Sequence, residues 1–287
     1  MGLAFDVAAS IAHTLGRILP YLALMGIGFA FLSWLSPGNK GRPWWHKQGL
    51  VTDIVYWLAV PLLQRYGRIG FTVFATVYLL GIDTADGIVK FFDHGHGPIS
   101  TWPFWVQVAF YLLASEFCLY WIHRAFHGRR LWRYHAVHHA SKDLEWISAA
   151  RFHPVNILLG TVAVDVAALL AGVTPDVFLI LGPFATLSSG FVHANLDWTL
   201  GPFKYVLAGP VFHRWHHTLE HGDKNFAGTF SLFDVMFGTF YMPQGVLPEN
   251  YGITDKDMPE SFAMQVLYPL LPQHAYASAG IGAERVA

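Results

Sequence analysis

Cysteine is nearly absent: Cys118 stands alone in the apolar run 110–121. One thiol forms no intramolecular disulfide and assembles no cysteine-ligated zinc or iron–sulfur site. In such surroundings it packs as a small hydrophobe. Charge is scarce as well. Asp, Glu, Lys and Arg make up 13% of the chain, against about a quarter in soluble domains, while 54% is hydrophobic. That surplus of apolar residues needs a solvent other than water. The formal net charge of -1 offers no basic field to nucleic acid or another polyanion. A basic leader with a small-residue cleavage site is missing too, so the first apolar stretch reads as a permanent span. Internal repeats and low-complexity linkers are lacking, and residues 1–287 read as a single integral-membrane domain with a disordered tail over 275–287.

What remains is apolar sequence of spanning length, about 20 residues for a hydrocarbon core of roughly 30 Å. Residues 18–35, 104–122, 155–173 and 177–192 qualify. The region 50–82 is interrupted by Gln64, Arg65 and Arg68. Its first half, 51–63 with Pro61 inside, reads as interfacial or re-entrant, and 69–82 as a span. Gly172 and Thr174-Pro175 supply a turn, so 155–192 crosses the membrane and returns. The predicted fold is all-α: a polytopic membrane helical bundle with a helical cap that holds the histidine boxes on the cytoplasmic face. The orientation follows from Lys40, Arg42, Lys47, Arg65, Arg68, Arg124, Arg129, Arg130 and Arg133, opposed to Asp83, Asp86 and Asp93. Trp44, Trp45, Trp57, Trp102, Trp105, Trp121 and Trp198 fall near span ends, where interfacial anchors sit.

Histidine is abundant: 16 in all, 11 of them between His123 and His221. His123 and His127 form an H-x3-H pair. His135, His138 and His139 form H-x2-H-H, His193 follows a span alone, and His213, His216 and His217 repeat H-x2-H-H. Residues three and four apart share a helix face, so each triplet is expected to present its imidazoles together. Neutral imidazole is the commonest nitrogen ligand of transition metals. This number of rings is too many for one ion and suits two. A solvated His-rich loop predicts no repeated helical spacing, and its gaps would be filled by glycine and serine rather than arginine and aromatics.

Carboxylates near the boxes are candidates for orienting the ligands. Glu116 lies two helical turns before His123 inside an apolar span, where an ionisable group is costly and usually functional. It is expected to accept an N–H from a ligating imidazole, with Asp197 and Asp234 as further candidates in that role. His153 is either a further ligand or, as its setting favours, a support for the ligands from outside; His221 is a weak further ligand candidate, and Asp165 has no assigned role. His13, His46, His94, His96 and His274 lie outside the boxes.

The order of boxes, with Arg151-Phe-His-Pro154, Asn225-Phe-Ala-Gly228 and Phe233-Asp-Val-Met-Phe-Gly-Thr239 around them, resembles the fatty acid hydroxylase and sterol desaturase superfamily. The resemblance covers residues 104–241. It implies a catalytic region there, a membrane di-iron centre, and use of O2 and two external electrons to hydroxylate, desaturate or demethylate a lipid. Carried over by position, the metal ligands are His123, His127, His135, His138, His139, His193, His213, His216 and His217. Two departures stand out. Asp197 occupies the place of a second third-box histidine found in some members, and Phe233 stands where many have tryptophan. No cytochrome-b5-like segment precedes the spans, so the expected electron donor is a separate protein of ferredoxin or cytochrome b5 type. Breaking an unactivated C–H bond requires a redox metal, which favours two Fe ions over zinc. A bis-histidine haem electron-transfer protein needs no such triplets, a metal transporter would spread histidines through its spans, and hydrolytic two-metal chemistry would use carboxylate ligands.

Overall fold

A computed structural model of the chain describes residues 2–39, 43–254 and 258–270. The first three helices are α1 (Gly2–Leu35), α2 (Leu50–Leu80) and α3 (Ala85–His94). Then come α4 (Phe104–Phe126), α5 (Trp132–His139) and α6 (Pro154–Ile157). A π-helical turn, Leu158–Val162, carries α6 into α7 (Ala163–Ala171). The chain continues through α8 (Pro175–His193), α9 (Pro210–His216), α10 (Leu232–Phe237) and α11 (Phe262–Leu267). Only two isolated β-bridges interrupt this all-helical pattern among the described residues. Ala8–Leu35, Phe104–Phe126, Pro154–Ala171 and Pro175–His193 are each long and apolar enough to cross a membrane, which makes this a multi-pass architecture.

The region 50–82 is not broken where its charges fall. α2 is one continuous helix of 31 residues with Pro61 inside, and it meets α3 at a bend of 111°. Its arginines are absorbed by neighbouring helices. Arg65 donates to the Thr14 hydroxyl at 3.1 Å, and Arg68 donates to Asp165 at 2.8 Å. The Tyr111 hydroxyl donates to the same carboxylate. Asp165 thus ties α2, α4 and α7 together inside the bundle. Lys47 pairs with Asp53, which also receives Arg151. Arg65, Arg68 and Lys47 are thus engaged by partners within the protein, and Lys40 and Arg42 lie outside the described residues, as do His274 and 275–287.

The hairpin forms as expected. Gly172 closes it at φ 108°, and a Cβ there would come within 2.2 Å of the His96 carbonyl oxygen, so the turn requires glycine. At the other end of the bundle the exit of α1, the end of α4, the start of α6 and the end of α8 converge. Pro37 bridges Leu196, and Gly38 N–H donates to the Asn195 carbonyl. Trp146 packs at the centre of this end against Phe29, Trp44 and Trp57. Trp57 is buried and donates to the Ile147 carbonyl, and Trp44 donates to the Gly26 carbonyl. These two tryptophans belong to the core rather than to an interfacial belt. Trp45, Trp102, Trp105, Trp121 and Trp198 are exposed.

Candidate metal centre

Four elements bring the nine box histidines to that shared end: the last turn of α4, all of α5, the end of α8, and α9 with its C-terminal residue. They form two groups. His123, His127, His135, His139 and His216 make the first, and His138, His193, His213 and His217 the second. Within each group the nitrogens on offer lie within 4.8 Å of one another. Seven of the nine side chains are buried, with His123 and His127 partly so.

The triplets are split, contrary to the expectation that each presents three rings together. At 3.6 residues per turn, positions i and i+4 differ by about 40°, whereas i+3 and i+4 diverge by about 100°. His135 and His139 therefore face the first group while His138 faces the second. α9 does the reverse, giving His213 and His217 to the second group and His216 to the first.

The donor set fits cations. Five imidazoles pass their Nδ1–H to an acceptor. His123 donates to the Phe226 carbonyl (2.6 Å), His135 to the Asn156 side-chain carbonyl (2.6 Å) and His138 to the Arg151 carbonyl (3.2 Å). His193 donates to the Ser189 carbonyl (2.7 Å) and His216 to the Lys224 carbonyl (2.6 Å). A neutral imidazole has one N–H, so each Nε2 of these five carries a bare lone pair. Those lone pairs nevertheless face one another. The Nε2 of His123 lies 3.0 Å from that of His135 and 3.0 Å from that of His216, and those of His193 and His138 are 3.3 Å apart. Opposed lone pairs at this distance repel unless a cation sits between them. Two nitrogens at right angles, each about 2.1 Å from a shared first-row ion, would be about 3.0 Å apart. Buried ring nitrogens of His127, His139, His213 and His217 have no hydrogen-bond partner. Burial first, and repulsion among the rings second, push His127, His135, His138, His139, His213, His216 and His217 well below the usual histidine range, holding them in the neutral, ligating form.

The carboxylates do other work than expected. Glu116 touches no imidazole. It accepts from the backbone N–H (3.0 Å) and hydroxyl (2.8 Å) of Thr229, because two helical turns along α4 carry it below the rings to the loop that follows α9. Asp197 is exposed and accepts from Ser36. α8 ends at His193, so the position four residues on is no longer on its helical face. Asp234 accepts from the N–H groups of Phe226 (2.8 Å) and Ala227 (2.9 Å) and from Thr239 (2.6 Å). It pins the segment whose carbonyl orients His123, one bond removed from the ring. His153 supports no ligand either: its Nε2 bonds the Val266 carbonyl and its Nδ1 caps α6 at Val155. His221 stacks on Tyr241. His13, His46, His94 and His96 are exposed outside both groups.

Sequence reasoning missed Asn156 and the four carbonyls, which carry no signal in residue type. It also missed Arg214. This buried guanidinium reaches the Leu144 carbonyl at 2.7 Å and the Asn39 side chain, lies over the Tyr251 ring, and fastens α9 to the end of α8.

Residues 108–239 match the family described as fatty acid hydroxylase. The chain is 33% identical over 179 residues to an ornithine lipid hydroxylase of Rhizobium tropici, covering 61% of this chain and 54% of that protein. It is 31% identical over 180 residues to the alkylglycerol monooxygenase of Xenopus tropicalis, covering 60% of this chain and 38% of that one. It is 30% identical over 138 residues to a methylsterol monooxygenase of Arabidopsis thaliana, covering 46% and 52%. The chain thus spans about half the length, or less, of these curated relatives. No solved structure matches it. Both imidazole groups lie inside the matched segment, so residues 108–239 of this chain form a fatty acid hydroxylase domain.

Proposed function

We propose that this protein is a membrane-bound, O2-dependent di-iron monooxygenase that hydroxylates a C–H bond of a polar or sterol-like lipid. The observation that carries the reading is the pair of all-imidazole groups, five rings and four, at one end of the bundle. An all-nitrogen set with no carboxylate suits a redox metal better than hydrolytic chemistry, and the relatives are named as lipid hydroxylases and monooxygenases. Grouping at one end fits neither a transport path through the spans nor axial pairs on haems.

In this reading His123, His127, His135, His139 and His216 hold one iron, and His138, His193, His213 and His217 hold the other. When bound, the irons supply one-electron redox chemistry and the site of O2 reduction. The balance is one C–H bond, O2, two electrons and two protons going to one C–OH and one water.

The rest falls to the chain's own residues. Phe226, Asn156, Arg151, Ser189 and Lys224 fix ring orientation through their acceptors and direct each Nε2 inward. Phe152 stacks on His138 with centroids 4.1 Å apart, and Trp132 packs on His127 and His139, excluding water from the rings. The spans carry the lipid chain to the metal end. Exposed Arg129, Arg130 and Arg133 flank Trp132 and give a separate acidic electron carrier, of ferredoxin or cytochrome b5 type, a basic landing edge close to the first group. With Arg124 they support an orientation that has the boxes on the cytoplasmic side, by the positive-inside rule.

The test is metal analysis of the purified protein combined with mass spectrometry of lipids from cells with and without the gene. Iron at two per chain and an O2-dependent gain of one oxygen in one lipid class are expected. Full activity with zinc in place of every iron would overturn the proposal.

A further inference from the structure

The loop after α9 does not stay above the membrane. Phe117 lies six residues before His123 on α4, about 9 Å deeper into the span. The ring of Phe233 packs on Phe117 at 5.7 Å, and that of Phe237 on Trp121 at 4.8 Å, with Phe117 and Trp121 themselves on the exposed surface of α4. Thr229 reaches Glu116 of α4 and Ser188 of α8, both within span-capable helices. Residues 229–237 therefore sit at the depth of the outer span turns. The remaining face of α10 points away from the protein, with Leu232, Val235 and Met236 exposed, Met236 at 61%. Its one acid, Asp234, is turned inward and fully buried.

A second segment continues this face. Phe203 is 66% exposed, beside exposed Val206 and Leu207. Ser231 donates to the Lys204 carbonyl (2.7 Å) and Ala208 to the Thr229 carbonyl (2.8 Å), which holds the two segments together. Scattered exposed apolar residues need no explanation, but a contiguous patch adjoining a span does. Lys204 and Arg124, the latter lying over the Trp121 ring at 5.4 Å, stand at its edge, the mixture of apolar and basic groups that interfacial segments carry.

We infer that residues 198–207 and α10 form a collar seated in the interfacial layer of one leaflet, with the bilayer itself as its partner. The inference rests on the membrane reading of the spans and deepens the proposed function. The collar brings the leaflet to the edge of the metal centre, so a lipid reaches the irons sideways without crossing water.

The test uses the full chain with Cys118→Ser, reconstituted in lipid nanodiscs. Single nitroxides are placed at Met236 and Phe203, with Leu113 as a hydrocarbon reference and Lys142 as a water reference; both reference positions are exposed. Collisional relaxation by O2 is compared with relaxation by a water-soluble nickel chelate. The expected O2-to-nickel ratio at both collar positions is severalfold above that at Lys142 and below that at Leu113. A ratio equal to that at Lys142 overturns the inference, and so does exclusion of both reagents, which would mean that protein covers the patch. A Leu113 label that itself reports water would overturn the spanning bundle instead. The readout needs no iron and no turnover, so failure of the oxygenase reading is separately visible.

Discussion

Replacing Asn156 with leucine isolates the contribution of a single orienting acceptor. The Asn156 side-chain carbonyl takes the Nδ1–H of His135 at 2.6 Å, and His135 is 1% exposed, so no bulk water replaces it. Leucine keeps similar volume and favours the helix more than asparagine does, which leaves the start of α6 intact. An orphaned buried N–H costs about 1–3 kcal/mol. At about 1.4 kcal/mol per tenfold change in an equilibrium constant, that is a loss of roughly five- to a hundredfold in iron affinity at the first group. The range agrees with the 10–100-fold typical for partners of metal-bound histidine. The assay is iron retention by the detergent-solubilised protein against a graded chelator. Asn156→Asp is the control, since its carboxylate accepts the same proton more strongly and should hold iron at least as well as the parent. A folded Asn156→Leu protein that retains iron like the parent would refute the reasoning.

The metal-free protein should lose stability as pH falls below about 6.5. Seven imidazoles have folded values well below that unfolded one, so the unfolded chain binds more protons in this window and stability rises with pH. Glu145, pushed up by burial from 4.5 to about 7, works the other way between those values, as one group against seven. A melting temperature that does not change between about pH 5 and pH 7.5 would count against the buried neutral rings. Asp165→Leu strands Arg68 inside the bundle and should cost about 3 kcal/mol, the lower end for a broken pair because Arg68 is 31% exposed. Thermal unfolding in detergent should show most of this restored in Arg68→Leu/Asp165→Leu, and a single variant melting like the parent would disprove the role. Asp197→His should not raise metal affinity, because that position is exposed and off the helical face of His193; tighter metal binding in a titration would show otherwise.

The sequence pointed to all nine grouped histidines because helical spacing and the turn at Gly172 and Pro175 are local properties. It did not reveal how the rings divide, since that depends on where α5 and α9 lie between the two groups. Glu116 stood out as an acid inside an apolar run, yet its partner belongs to a loop 113 residues further along. Arg65 and Arg68 looked like a break in α2 because hydropathy does not register a partner on another helix. Trp57 looked interfacial because its neighbour Trp146 comes from a different part of the chain. Backbone carbonyls are outside what residue type conveys, and so four of the five orienting acceptors had no signature.

The divided triplets have a consequence for assembly. α5 and α9 are walls common to both groups, each sending rings in two directions. In the proposed two-ion reading, an ion entering either group would fix the pitch and rotation of both helices, and so would shape the other group before it fills. Loading would then be concerted, and stripping one ion would loosen the grip on the other.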